Sequence, residues 1–123
     1  MKAVVLAIKP KYANLILKGE KRYEFRKCLM KRDIKKVYLY SSSPTQKIVG
    51  YFIVDKIICG SPKNLWKITK KTSGIKRADF FNYFKYKKKA NAIKIKNAVN
   101  LGLKEPKSLF SNFVVPQNFI YVN

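Results

Sequence analysis

Three charged side chains lie within six residues of one another, in a pattern that could do chemistry. They are Lys21, Glu24 and Arg26. As a catalytic set, Glu24 would act as a general base while the cations stabilise a developing oxyanion or phosphorane. As a binding set, the cations would grip a phosphate while Glu24 holds Arg26 or Lys9 in place or accepts a hydrogen bond from a base edge. A surface ion pair is the third interpretation, because exposed pairs are common and contribute only ~0 to 1 kcal/mol.

The composition excludes several other kinds of site. The chain has no histidine, which excludes histidine-dependent serine or cysteine triads and histidine-bound zinc. Two cysteines, Cys28 and Cys59, are too few for a structural zinc site, and we expect them to be reduced thiols. We therefore expect neither a metal nor a cofactor.

A short helix followed by a strand must position the charged set. Residues 4 to 8 predict a buried strand, and Pro10 and Gly19 bound a helix over about residues 10 to 18. From 21 to 27 the sequence alternates, so that Tyr23 and Phe25 face one way while Glu24 and Arg26 face the other. Strict alternation places Lys21 opposite Glu24 unless the strand twists at its start, which leaves open whether the two share a pocket.

The rest of the chain alternates between short strands and helices. We predict strands over 37–40, 48–58, 93–96 and 119–122, helices over 62–68 and 78–84, and a loop containing Pro106 and Pro116. Gly50 lies inside a long strand, where it suits a bulge or a tight bend. The expected fold class is α+β: a small, mostly antiparallel barrel with helices packed at its rim, formed as one domain over 1–123.

The charge balance indicates a polyanionic partner. The 123 residues include 28 Lys and Arg against 6 Asp and Glu, a net charge of +22, while 14% aromatic residues argue against a disordered basic tail. Nucleic acid is the usual partner for such a charge. The apolar start, residues 1 to 8, is too short for a leader or a membrane helix, so we expect a cytoplasmic protein with no membrane partner.

Other residues could add nucleic-acid contacts. The turn 41–44 offers the hydroxyls and amides of Ser42 and Ser43 to a phosphate, although serines before a proline commonly just form the turn. Four lysines, Lys85 and residues 87 to 89, could contact phosphates or simply be solvated. Aromatic residues could stack on unpaired bases or pack in the core; they are Tyr23, Tyr40, Trp66 and Tyr83.

The run 19–26, Gly-Glu-Lys-Arg-Tyr-Glu-Phe-Arg, resembles the GxKxxExR signature of ASCH domains, small barrels related to the PUA superfamily of RNA-binding modules. Further features agree in order along essentially the whole chain and are similar to the small stand-alone prokaryotic, archaeal or phage type. They are Ile8-Lys9-Pro10-Lys11-Tyr12-Ala13, the turn 40–44, the helices around Leu65-Trp66 and Phe81-Asn82-Tyr83-Phe84, and residues 116–121.

The resemblance implies a cleft where the first helix meets the next strand, in a domain that binds or processes RNA. We therefore predict a basic cleft that binds RNA, another nucleic acid or a modified nucleoside. The sequence leaves the oligomeric state open. The predicted binding residues are Lys9, Lys21, Tyr23, Glu24, Arg26, Ser42 and Ser43.

The alternative function is a metal-independent hydrolase, either a ribonuclease or an amidase, with Lys21 and Glu24 as catalytic residues. Some ASCH proteins look like amidohydrolases that act on acetylated cytidine through lysine, threonine and glutamate. The lysine would map to Lys21, whereas Glu24 stands at the threonine position, and Asp55 is the only carboxylate between residues 47 and 58. A protein-interaction module is a third possibility, because a fold does not specify function.

Overall fold

A curled sheet of six strands carries the charged residues. The computed structural model describes residues 3–28 and 33–122. Its strands are β1 (Ala3–Ile8), β2 (Tyr23–Arg26), β3 (Lys36–Ser41), β4 (Lys47–Gly60), β5 (Ala90–Lys104) and β6 (Phe119–Val122). They lie in the order β2-β5-β4-β3-β1-β6, and every neighbouring pair is antiparallel except β1 with β3. The predicted α+β class is confirmed, with the barrel present as a curled half-barrel.

The described residues also form four α-helices: α1 (Pro10–Leu17), α2 (Pro62–Thr69), α3 (Arg77–Tyr83) and α4 (Pro106–Leu109). Proline stands at the first position of α1, α2 and α4, where its missing N–H is not needed. Ser61 caps α2, its hydroxyl accepting a hydrogen bond from the Asn64 N–H at 3.2 Å. The three helices predicted from the sequence are present, whereas α4 forms where a loop was expected, because Pro106 begins a helical turn.

Two hydrophobic clusters fix the elements around the charged set. The first cluster packs α1 on the sheet through Ala13 and Ile16, which are fully buried against strand residues such as Leu39. The second cluster joins β2, α2 and α3, and its members are Tyr23, Phe25, Leu65, Phe80, Phe84, Ala90 and Ala92. Burial of these apolar side chains stabilises the fold and holds α3 against β2.

Gly50 allows close packing where the strand register shifts along β4. The β4 registers with β3 and with β5 both shift close to this residue, as expected for a bulge. A Cβ at this position would collide with the Val99 carbonyl oxygen and lie 2.6 Å from Leu17 Cδ2. The predicted bulge is therefore present, and glycine is required by the close approach.

Candidate functional site

A cleft of about 370 Å³ opens between α1, β2 and α3. Aromatic rings from all three elements, Tyr12, Phe25 and Tyr83, form apolar parts of its wall. Its charged lining consists of four cations and two carboxylates: Lys9, Lys11, Lys21, Arg26, Glu24 and Asp79. The cleft is therefore concave, aromatic in part and positively charged, which are properties of a binding site that favours anionic ligands.

Lys21 is a buried residue in the wall of this cleft. Gly19 ends the α1 turn at φ +81, and the N–H groups of Glu20 and Lys21 both donate to the Leu15 carbonyl oxygen. This tight turn directs the Lys21 side chain inward, so that the residue is only 2% exposed. Lys21 and Glu24 do share the cleft, because the chain turns sharply before β2 begins at Tyr23.

The ammonium group of Lys21 has specific neighbours. Its Nζ donates a hydrogen bond to the Ser73 carbonyl oxygen at 2.6 Å. The same Nζ lies 4.8 Å from the centroid of the Phe25 ring and 5.2 Å from that of Tyr12. Cation–π attraction partly replaces the water that the ammonium has lost.

Gly74 packs closely against the stem of the Lys21 side chain. Its backbone has φ +66, and a Cβ there would lie 2.5 Å from both Lys21 Cβ and Lys21 Cγ. In the sequence, the Ser73-Gly74 pair indicates only a break between helices. Its second role, enclosing Lys21, depends on a contact between residues more than fifty positions apart and has no local sequence signal.

Burial lowers the pKa of Lys21 from 10.5 to about 8, mainly because the charged form is desolvated. Glu24 raises this pKa and Arg26 lowers it, but both effects are smaller than that of burial. Lys21 therefore remains mostly protonated at neutral pH, but it loses its proton more readily than an exposed lysine does. Such a group can donate a proton or a hydrogen bond near physiological pH.

Glu24 and Arg26 form a buried pair on β2. Arg26 Nη2 lies 3.0 Å from Glu24 Oε2, and the two side chains are only 12% and 8% exposed. Arg26 also donates from Nη1 to Asn118 Oδ1 at 2.8 Å and from Nη2 to the Ala7 carbonyl oxygen at 3.0 Å. These two residues are therefore not an exposed surface ion pair. Arg26 also links β2 to β1 and to the segment before β6.

Helix α3 supplies cleft residues that were not predicted as part of the site. Asp79, Asn82 and Tyr83 all line the cleft. Their spacing, i, i+3 and i+4, puts them on one helix face, which is a signal that the sequence does contain. For Tyr83 the sequence suggests either stacking on a base or packing in the core, and the structure places it in the wall of the cleft.

The pKa of Tyr83 is raised, first because its hydroxyl is partly buried. Arg26 and the backbone of Lys27 lower this pKa, whereas Glu24 and Cys28 raise it. Lys27 Nζ also lies 4.7 Å from the Tyr83 ring centroid. The raised pKa keeps this hydroxyl protonated at neutral pH, so it can act as a hydrogen-bond donor.

Of the other predicted binding residues, one lines the cleft and three lie elsewhere. Lys9 lines the cleft and is exposed at its mouth. Tyr23 is buried in the second cluster and does not line the cleft, whereas Phe25, two residues further along β2, does. Ser42 donates its N–H to the Ile8 carbonyl oxygen at 2.9 Å and Ser43 is exposed, but neither lines the cleft. Asp55 also lies outside the cleft and pairs with Lys94 at 3.7 Å.

The described part of the chain has neither a metal-ligand cluster nor a membrane-spanning helix. Within residues 3–28 and 33–122, no three His, Cys, Asp or Glu side chains are grouped as metal ligands would be. None of the helices in these ranges has the length and apolar character needed to cross a membrane.

Comparisons with known proteins agree with the fold. The crystal structure of ASCH from Zymomonas mobilis superposes with a TM-score of 0.87 at 22% identity, covering 98% of this chain and 87% of that one. A curated relative from the same organism, an ASCH domain-containing ribonuclease, is 22% identical over 98% of this chain and 84% of its own length. Large ribosomal subunit protein uL22 from Ureaplasma parvum is 27% identical over 97% of this chain, which spans 39% of that protein.

The similarity also extends to the family level. The family model of the ASCH domain matches residues 6–105, which is most of the chain and includes the whole signature run 19–26. The resemblance noted in the sequence is thereby confirmed. The chain belongs to the ASCH domain family.

Proposed function

We propose that this domain binds RNA through the cleft between α1, β2 and α3, with one nucleotide inside it. The observation that carries the proposal is the joint presence of cations and aromatic rings in a cavity of about 370 Å³. Volumes of roughly 300 to 1,000 Å³ are typical of small-ligand sites. The name of the Zymomonas mobilis relative, a ribonuclease, supports RNA as the polyanion.

Different parts of the cleft would contact different parts of the nucleotide. Lys9 and Lys11 are exposed at the mouth, where their flexible ammonium groups can contact the RNA backbone. The rings of Tyr12 and Tyr83 offer surfaces for an unpaired base. Asp79 would repel phosphate, so it fits better against the amino group of a base.

Binding is tested by removing the two lysines at the mouth, which leaves the buried residues intact. The double variant Lys9→Gln/Lys11→Gln should bind labelled single-stranded RNA at least tenfold more weakly at low salt, measured by fluorescence anisotropy. The matched control is Lys63→Gln/Lys67→Gln, which removes two exposed lysines from α2, outside the cleft. Equal loss of affinity in both variants would show that only the overall charge matters and would contradict the proposal.

A second candidate function is metal-independent cleavage of the bound RNA. It is favoured by a buried lysine whose pKa is lowered to about 8, in the same cleft as Glu24. The Glu24 carboxylate would take the proton from a ribose 2′-hydroxyl, whose oxygen attacks the adjacent phosphorus. The bond from phosphorus to the 5′-oxygen then breaks, and the Lys21 ammonium protonates the departing oxygen. The products are a 2′,3′-cyclic phosphate and a 5′-hydroxyl.

Cleavage is tested by incubating pure protein and labelled single-stranded RNA with a chelator. The wild type should release cyclic-phosphate ends, and Glu24→Gln and Lys21→Met should each lower the rate at least a hundredfold, as expected for the loss of a general base or acid. Turnover that survives Glu24→Gln would point to another base or to a contaminant. Acetylated cytidine is the parallel substrate for the amidase alternative, which has less support because Asp55 lies outside the cleft.

A further inference from the structure

Tyr86 is an aromatic residue held on the surface in an unfavourable backbone conformation. The residue is 92% exposed, and its backbone φ is +67. A bulky residue in the left-handed region costs roughly 1 to 2 kcal/mol, and such strain is concentrated at functional sites. Tyr86 belongs to none of the hydrophobic clusters of the described residues, so core packing does not explain its position.

The immediate surroundings of Tyr86 are strongly basic. Lys85 precedes it, three lysines at positions 87 to 89 follow it, and all four are exposed. Lys85 Nζ lies 5.1 Å from the Tyr86 ring centroid. An exposed ring among cations is the combination that single-stranded nucleic-acid sites use, because the cations attract the backbone and the ring stacks on a base.

The segment that carries Tyr86 begins at the wall of the cleft. Asn82 and Tyr83 line the cleft, and the Asn82 carbonyl oxygen accepts a hydrogen bond from the Lys85 N–H at 3.2 Å. Tyr86 follows Tyr83 by three residues, so their Cα atoms are at most about 11 Å apart. A strand of RNA that leaves the cleft beside Tyr83 can therefore reach the Tyr86 ring within a few nucleotides.

We propose that Tyr86 is a base-stacking residue for the RNA strand outside the cleft, and that Lys87 to Lys89 contact the adjoining phosphates. This inference rests on the proposed RNA binding and adds a second contact to it. It also gives the strained conformation a role, since φ +67 keeps the ring out of the core and accessible to a base.

The test compares Tyr86→Ala and Tyr86→Phe on two ligands. One is a labelled single-stranded RNA of about twelve nucleotides, which is long enough to cross such a site. The other is inorganic polyphosphate, which carries the charge but has no bases. Ile68→Ala is the matched control, because Ile68 is 58% exposed beside Lys67 on α2.

Tyr86→Ala should bind the RNA about tenfold more weakly, as expected for one lost base–aromatic stack, and bind polyphosphate like the wild type. Tyr86→Phe keeps the ring and should bind like the wild type, as should Ile68→Ala. Tyr86→Trp should show a change of fluorescence on RNA binding that the wild type, with Trp66 alone, does not show.

The outcomes separate this inference from the function on which it rests. Unchanged RNA affinity in Tyr86→Ala would overturn the stacking role and leave binding in the cleft intact. Equal weakening for RNA and polyphosphate would also overturn it, since stacking requires bases. A wild-type protein that binds no RNA would overturn both.

Discussion

The ammonium group of Lys21 has exchanged water for one carbonyl oxygen and two aromatic rings. This exchange favours the neutral amine and lowers the pKa of Lys21 from 10.5 to about 8. Between these two pH values the unfolded chain binds more protons at this site than the folded chain does. The free energy of unfolding should therefore rise with pH across that window, by up to about 3 kcal/mol from this residue.

Lys21→Met isolates this effect from the other groups that titrate at high pH. The wild-type stability minus that of Lys21→Met should increase as pH rises from about 8 to 10.5. Urea unfolding of both proteins at several pH values measures the difference. Lys63→Met, which changes an exposed lysine, is the control and should show a nearly constant difference. A constant difference for Lys21→Met as well would contradict the burial effect.

For single residues, the sequence predicts which charged side chains belong to the site but not how they are arranged in space. It predicted that Glu24 and Arg26 share a face of one strand, because a strand alternates every two residues. It left open whether Lys21 joins them, since that depends on the turn at Gly19 and on the cover provided by Gly74. The Gly19 turn has a local signal in the sequence, but the contact between Gly74 and Lys21 is a tertiary feature that a one-dimensional pattern does not encode.

Arg26 connects β2 with β1, two strands that are not neighbours in the described sheet. Its guanidinium bonds Glu24 on β2, the Ala7 carbonyl oxygen on β1 and Asn118 just before β6. β2 and β6 lie at opposite ends of the strand order, so this side chain bridges the gap in the half-barrel. Losing it would also leave the Glu24 carboxylate buried without its cation.

Arg26→Met should therefore lower the free energy of unfolding by about 3 to 5 kcal/mol, the cost typical of removing one partner of a buried pair. Chemical denaturation measures this loss. Lys47→Met is the control, because the Lys47–Glu105 pair at 3.0 Å is largely exposed and should contribute at most about 1 kcal/mol. Similar small losses in both variants would show that the bridge contributes little.

The segment between α2 and α3 meets Lys21 at Gly74. Gly74→Ala would impose both left-handed strain and a collision with the Lys21 stem, at a cost of about 2 to 4 kcal/mol. Gly19→Ala is a matched control, since Gly19 has φ +81 but a Cβ added there would meet no atom within 4 Å, and it should cost only about 1 to 2 kcal/mol. Thermal unfolding of the two variants measures the contrast. Equal losses would show that the Lys21 side chain moves aside for the added methyl group at little energetic cost.

Element prediction succeeded where local signals are strong. Prolines at the starts of α1 and α2 and the alternation along β2 were visible in the sequence, and these elements are present. β5 extends over Ala90–Lys104, far beyond the predicted 93–96, because pairing with β4 keeps residues such as Asn97 and Asn100 extended. Long-range strand pairing overrides local preference in such a segment.

Across the whole molecule, the net charge of +22 makes any RNA affinity dependent on salt. Each phosphate contact should contribute about 0.7 to the slope of log affinity against log salt for a single strand. Lys9→Gln/Lys11→Gln should lower that slope by up to about 1.4, if each lysine contacts one phosphate. Tyr86→Ala should leave the slope unchanged. Anisotropy titrations at several salt concentrations measure these slopes, and a slope near zero in the wild type would contradict binding through phosphates.

The bridge made by Arg26 also couples ligand binding in the cleft to the stability of the contact between β2 and β1. Arg26 lines the cleft and at the same time holds β2 close to β1. A nucleotide that binds only when Arg26 holds β2 against β1 must stabilise that contact by mass action. Amide hydrogens of β1 should then exchange more slowly in the complex, although none of the residues described for β1 before Ala7 lines the cavity.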